Sequence, residues 1–121
     1  MADYKPSRRA RAEGKPVPSK RPGSGGSIEN PDFEQAVWDT VNELADLLLS
    51  KHKDYGPRNI SDSPGGALNG LRVRMHDKMA RINNLVDNNQ KARHEPLEDS
   101  FKDLANYAMI SLLVLRGKWD N

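Results

Sequence analysis

The sequence predicts an all-α domain behind a basic tail, and three observations carry that prediction. Apolar residues between positions 28 and 121 recur at intervals of three and four. Helix breakers collect in two clusters between the periodic stretches. No alternating run is long enough for a strand, and no internal repeat is present. Three main antiparallel helices of about 20 residues each then make a unit of roughly 90 residues.

The first helix begins after Asn30, a good N-cap, with Pro31 in its first turn. Phe33, Val37, Val41, Leu44 and Leu48 form its apolar face, and it ends near Lys53, ahead of Gly56-Pro57. Residues 54–66 read as a loop. The second helix runs from about Ala67 to Val86 on a stripe of Leu68, Leu71, Met75, Met79, Ile82 and Val86. Asp87-Asn88-Asn89 and the polar segment to Glu95 make the second loop. The third helix spans about Pro96 to Gly117, with Leu97, Phe101, Leu104, Ala108, Leu112 and Leu115 as its core stripe. Ile110, Leu113 and Val114 lie on the opposite side, so its C-terminal half is apolar all round. Such a helix is normally fully buried. Three helices cannot enclose it, so the sequence predicts a core completed by oligomerisation, as a homodimer or tetramer.

Composition removes several classes of function. The chain has 121 residues, 36% hydrophobic and 30% charged, which suits one domain with a charged surface. It has no cysteine, which excludes disulfides, a thiol nucleophile and sulfur-ligated zinc. His52, His76 and His94 lack metal-pair spacing. The longest apolar run, 105–115, is interrupted by Asn106 and Ser111 and falls short of the roughly 20 residues a bilayer requires. The basic N-terminus has no apolar segment behind it, so no secretory signal is expected and the expected location is the cytoplasm.

The net charge of +2 sums two unlike parts. Residues 1–27 hold Lys5, Arg8, Arg9, Arg11, Lys15, Lys20 and Arg21 against Asp3 and Glu13, a net +5, which leaves −3 for residues 28–121. With Pro6, Pro16, Pro18, Pro22 and a Ser-Gly run, the tail is expected to be disordered. Its charge allows weak nucleic-acid contact, although Tyr4 is its sole aromatic for stacking.

Candidate chemistry gathers in three places. On the third helix, Asp99, Asp103 and Asn106 fall within about 60° of one another on a helical wheel, and their stripe continues into Ile110. An acidic stripe that turns apolar enters a partly covered cleft. Crowded carboxylates there are costly unless a cation joins them, and oxygen ligands at this spacing suit Mg²⁺ or Mn²⁺. Taken alone, the pair also fits a hydrated face with an acidic, dipole-favouring first turn. On the second helix, Arg74, Asp77, Lys78 and Arg81 form a mixed strip. Asp77 and Arg81 fit a surface pair at i, i+4, or cations that hold phosphates beside a metal-binding Asp77. The segment KHKDYG (51–56) joins Lys51, Asp54 and Tyr55 at a helix end, an arrangement that suits a nucleotide's phosphates and base or sugar. Gly56 there also reads simply as a helix C-cap.

In order and spacing, KHKDYG (51–56), DKMAR (77–81) and EDSFKDLANYA (98–108) resemble the small phage and bacterial nucleotide modification associated proteins. These are similar in turn to the MazG-like all-α NTP pyrophosphohydrolases. The resemblance covers about residues 32–116. It implies Mg²⁺-dependent hydrolysis of a (deoxy)nucleoside triphosphate to the monophosphate and pyrophosphate, in a host cytoplasm if the protein is phage-encoded. Asp103 matches the family's metal-binding Asp and Tyr107 its following aromatic. Ser100 stands where an acid is expected, so Asp99 or Glu98 substitutes. On this reading Asp99, Asp103 and Asp77 hold the metal, and Glu98 positions or deprotonates water. Lys51, Lys78 and Arg81 stabilise phosphate charge, while Asp54, Tyr55, Asn106 and Tyr107 complete the substrate pocket. Two other readings are a non-catalytic nucleotide sensor or sponge, and a nucleic-acid accessory protein that acts through its tail.

Overall fold

A computed structural model describes residues 30–120. The tail expected at 1–27 lies outside the described residues. Within them the chain is all-helical, with α1 (Pro31–Tyr55), α2 (Arg58–Ser61), α3 (Ala67–Asp87) and α4 (Leu97–Leu115) and no strand. The three long helices stand where the periodicity put them. The short α2 occupies part of the stretch expected to be loop. None of the described helices is long and apolar enough to cross a membrane.

The chain divides into two compact units, one ending at Ser50 and one beginning at Lys51. In the first, Asn30 caps α1: its Oδ1 accepts from the Phe33 N–H at 3.1 Å and its carbonyl from the Glu34 N–H at 3.1 Å. These bonds satisfy donors that a helix start leaves open. Phe33, Val37 and Val41, the N-terminal half of the expected apolar face, are exposed.

The second unit holds the last turn of α1 together with α2, α3 and α4. Two helix ends share one device. Past α4, Gly117 takes φ 68° while its N–H bonds the Val114 carbonyl and the Lys118 N–H bonds that of Leu113. Past α3, Asn89 takes φ 50°, with parallel bonds from Asn89 to Val86 and from Gln90 to Leu85. Both are Schellman turns, closed by the residue types that tolerate a left-handed backbone.

Helices α3 and α4 pack against each other in antiparallel register. Arg81 meets Ser100 and Lys78 meets Asp103, so three steps down α3 match three steps up α4. The buried apolar set is Leu71, Ile82 and Leu85 of α3, Ile110 of α4 and Ile60 of α2. Helix α3 also lies close to the Ser63 turn at Gly70, where a β-carbon would sit 2.4 Å from the Ser63 side chain. Arg74 secures that approach, donating to Ser63 Oγ at 3.2 Å and to the Asn59 carbonyl at 3.0 Å.

The face that α4 turns inward differs from the expected one. Phe101, Leu112 and Leu115 of the predicted core stripe are exposed, and Ser100, Asn106 and Ile110 are buried. Leu68, Met79 and Val86 of the predicted α3 stripe are likewise exposed. Periodicity favours the most apolar stripe. Here the inward face carries polar groups, and partners on α3 and at the end of α1 lower the cost of enclosing them.

Candidate functional site

The buried face of α4 meets α3 and the last turn of α1 at Asp103. Its carboxylate accepts from Lys51 Nζ at 3.0 Å on one oxygen and from Lys78 Nζ at 2.8 Å on the other. Only 13% of the Asp103 side chain is exposed, against 49% for Lys51 and 23% for Lys78. Burial by itself pushes the Asp103 carboxyl upward. The hydrogen bonds and charges of Lys78 and Lys51 outweigh that and hold it below its ordinary value. Each lysine is held above its ordinary value, first by its hydrogen bond to Asp103, against the opposing effect of burial. Tyr107 lies within electrostatic reach of both ammonium groups, and Tyr55 within reach of Lys51. The three side chains carry two positive charges and one negative, and the Glu95 carboxylate also lies within electrostatic reach of Lys78.

The chain after α4 secures the helix end that carries Lys51. The Trp119 indole N–H donates to the Pro57 carbonyl at 3.1 Å, and its ring meets His52 edge-on at a centroid distance of 5.1 Å. His52 Nε2 sits 2.9 Å from an Asp120 carboxylate oxygen. With Nδ1 buried and without a hydrogen-bond partner, the tautomer bearing its proton on Nε2 fits this arrangement. The Lys51–Tyr55 turn is thereby tied to sequence more than sixty residues away.

The other expected site residues fall into three groups. Asn106 is buried and Tyr107 half-buried on the Asp103 face, so the stripe from Asp103 into Ile110 does run under cover. Asp54 and Tyr55 are exposed at the end of α1. Arg81 is turned elsewhere: its guanidinium donates to Ser100 Oγ at 2.6 Å and to the Glu95 and Pro96 carbonyls. It anchors the entry to α4. Glu98 is exposed and paired with Lys102 at 2.8 Å, which holds its carboxyl below the ordinary value through the Lys102 hydrogen bond.

Asp77, Asp99 and Asp103, the expected metal set, are not brought together as one group of carboxylates. Both Asp103 oxygens face ammonium groups, whose charge repels a divalent ion. Asp77 is exposed and Asp99 half-buried. No group of three His, Asp or Glu side chains able to share a metal occurs among the described residues.

Residues that the sequence reading passed over lie beside Lys78. A cleft of about 550 Å³ opens between the C-terminal half of α3 and the segment 88–96, with Lys91, Arg93 and His94 on its wall. The segment to Glu95 was legible as a polar loop. Its placement against Lys78 was not, because that depends on how Arg81 fastens the Glu95-Pro96 backbone.

The model of one family, nucleotide modification associated domain 1, matches residues 51–115. The chain belongs to this family. The matched span starts at Lys51, takes in Lys78 and Asp103, and ends with the last residue of α4. No curated protein and no solved structure matches the chain.

Proposed function

We propose that this domain binds a (deoxy)nucleoside triphosphate by its phosphates and hydrolyses it to the monophosphate and pyrophosphate, in nucleotide-pool or modified-DNA metabolism. The observation that carries the reading is the convergence of Lys51 and Lys78 on Asp103 in a family associated with nucleotide modification. Phosphate oxygens are stronger attractors for two ammonium groups than one shared carboxylate, and they compete with Asp103 for both. Asp103 then keeps the two lysines together in the absence of ligand and yields them when the phosphates arrive. Tyr55 and Tyr107 stand close enough to the cations to contact the sugar or base. Magnesium enters as the companion of the triphosphate rather than as a resident of the protein. Half-buried Asp99, one turn before Asp103, is the carboxylate best placed to orient water. The order of the three motifs supports kinship with the MazG-like enzymes.

Nucleotide binding without turnover is the second reading. It is favoured by the occupation of both Asp103 oxygens by lysine. One experiment separates the two: the full chain is incubated with each common NTP and dNTP in the presence of Mg²⁺. Hydrolysis predicts pyrophosphate release, lost in a Lys51→Ala/Lys78→Ala variant. Binding alone predicts a nucleotide-dependent rise in melting temperature without product. Each lost charged contact is expected to weaken binding by roughly tenfold to a hundredfold. Neither product nor stabilisation with any nucleotide overturns both readings.

Self-association is supported by the apolar stripe of Phe101, Leu112 and Leu115, which α4 leaves exposed. Light scattering on the eluting peak is expected to give a multiple of the chain mass, and Phe101→Glu to shift it toward the monomer. A monomer mass for the unsubstituted chain at micromolar concentration contradicts the proposal.

A further inference from the structure

The cleft beside Lys78 carries chemistry that the Lys51–Lys78–Asp103 cluster does not use. Its wall presents Lys78, Arg81, Lys91, Arg93 and His94, with Glu95 as its one acidic residue. Arg81 is committed to the loop carbonyls and so fixes the cleft's shape. Lys91 and Arg93 stand exposed on the segment it fastens. Among the lining residues there is no Phe, Tyr or Trp, so the cleft offers no large ring for a nucleobase to stack on. Its volume, about 550 Å³, lies within the roughly 300–1,000 Å³ of small-molecule sites. An anionic chain without aromatic parts fits that description.

We propose that this cleft is a phosphate-chain subsite. It takes a polyphosphate whose one end lies at Lys78, with the rest running along Lys91 and Arg93. Lys78 joins the cleft to the Asp103 cluster, since the same residue lines one and bonds the other. The inference deepens the nucleotide reading by assigning a direction to the ligand. The phosphates extend toward the 88–96 segment, and the nucleoside stays on the side of Lys51 and Tyr55. The ligand chemistry itself, a linear chain of phosphates, rests on the cleft's own side chains.

The test is calorimetric titration of inorganic tripolyphosphate into the full chain at low salt. The unsubstituted protein is compared with Lys91→Ala/Arg93→Ala and with the charge-conserving Lys91→Arg/Arg93→Lys variant. Because both positions are exposed, circular dichroism is expected to show an unchanged fold for each. The alanine pair is expected to weaken binding by tenfold or more, and the charge-conserving pair to retain most of it. Equal binding by all three proteins overturns the subsite and places the affinity elsewhere, for instance in the basic N-terminal segment. No binding by the unsubstituted protein overturns it as well. A parallel titration with nucleoside triphosphates keeps the two proposals apart. If the alanine pair loses tripolyphosphate while no nucleotide binds the unsubstituted chain, the cleft stands and the nucleotide reading falls. If nucleotides bind and are cleaved with the alanine pair unaffected, the reverse holds.

Discussion

Asp103→Asn is expected to lower folding stability by about 1–3 kcal/mol while tightening the binding of inorganic phosphate. The amide keeps the shape of the side chain but removes the charge that holds Lys51 and Lys78 together. Half of the Lys51 side chain is exposed, so solvent screens its share, and most of the loss comes from the more enclosed Lys78 pair. The same two ammonium groups then face the ligand without an internal competitor. Urea denaturation measures the first effect, and phosphate titration the second. An unchanged midpoint together with weaker phosphate binding contradicts this account of Asp103.

The loss also has a definite pH dependence. Asp103 is held below its ordinary 3.8, so its contribution is present above that value and fades as pH falls through the folded pKa. Lys51 and Lys78 are held above their ordinary 10.5, so their contribution is present below that value and fades as pH rises through their folded values. The stability gap between the unsubstituted chain and the Asn variant is therefore expected to be flat near neutrality. It shrinks below about pH 3.8 and above about pH 10.5.

Arg81→Ala is expected to cost about 2–3 kcal/mol and to loosen the 88–96 segment before the rest of the domain unfolds. The guanidinium serves three acceptors at once, and one of them, Ser100, is fully buried. Truncation strands the buried Ser100 hydroxyl and unfastens the exposed Glu95 and Pro96 carbonyls, of which Pro96 keeps its bond from the Asp99 N–H. Lysine does not replace the planar fork, so Arg81→Lys is expected to recover only part of the loss. Hydrogen exchange is expected to rise first at 88–97, with tripolyphosphate affinity falling because the cleft wall is no longer fixed. Uniform exchange across α3 and α4 in the variant speaks against a local anchoring role.

The helices themselves were legible because their determinants are local. Asn30 ahead of Pro31, the glycine at 56 and the turn residues at 88–89 and 117 fix where helices begin and end through backbone groups a few positions away. The inward face of α4 was only half legible. Its stripe from Asp103 through Asn106 to Ile110 runs under cover, as expected of a face that turns apolar one turn later. Phe101, Leu112 and Leu115, which the periodicity predicts to be core, are exposed instead. Hydrophobic periodicity records which side is most apolar. It does not record that Ser100 and Asp103 have Arg81, Lys78 and Lys51 waiting for them across a helix interface.

The sequence by itself determined that residues 30–120 are helical, the limits of the long helices and where along them the charged residues fall. Tertiary structure alone decided what those charges do. Asp103 reads as a metal ligand in isolation, because a carboxylate one turn from another attracts cations. In the folded chain the cations that reach it are two lysines, 25 and 52 positions away in sequence, and the same residue becomes the centre of a hydrogen-bonded ion cluster. Electrostatic character depends on which opposite charge arrives first within hydrogen-bonding distance, and that distance is set by packing.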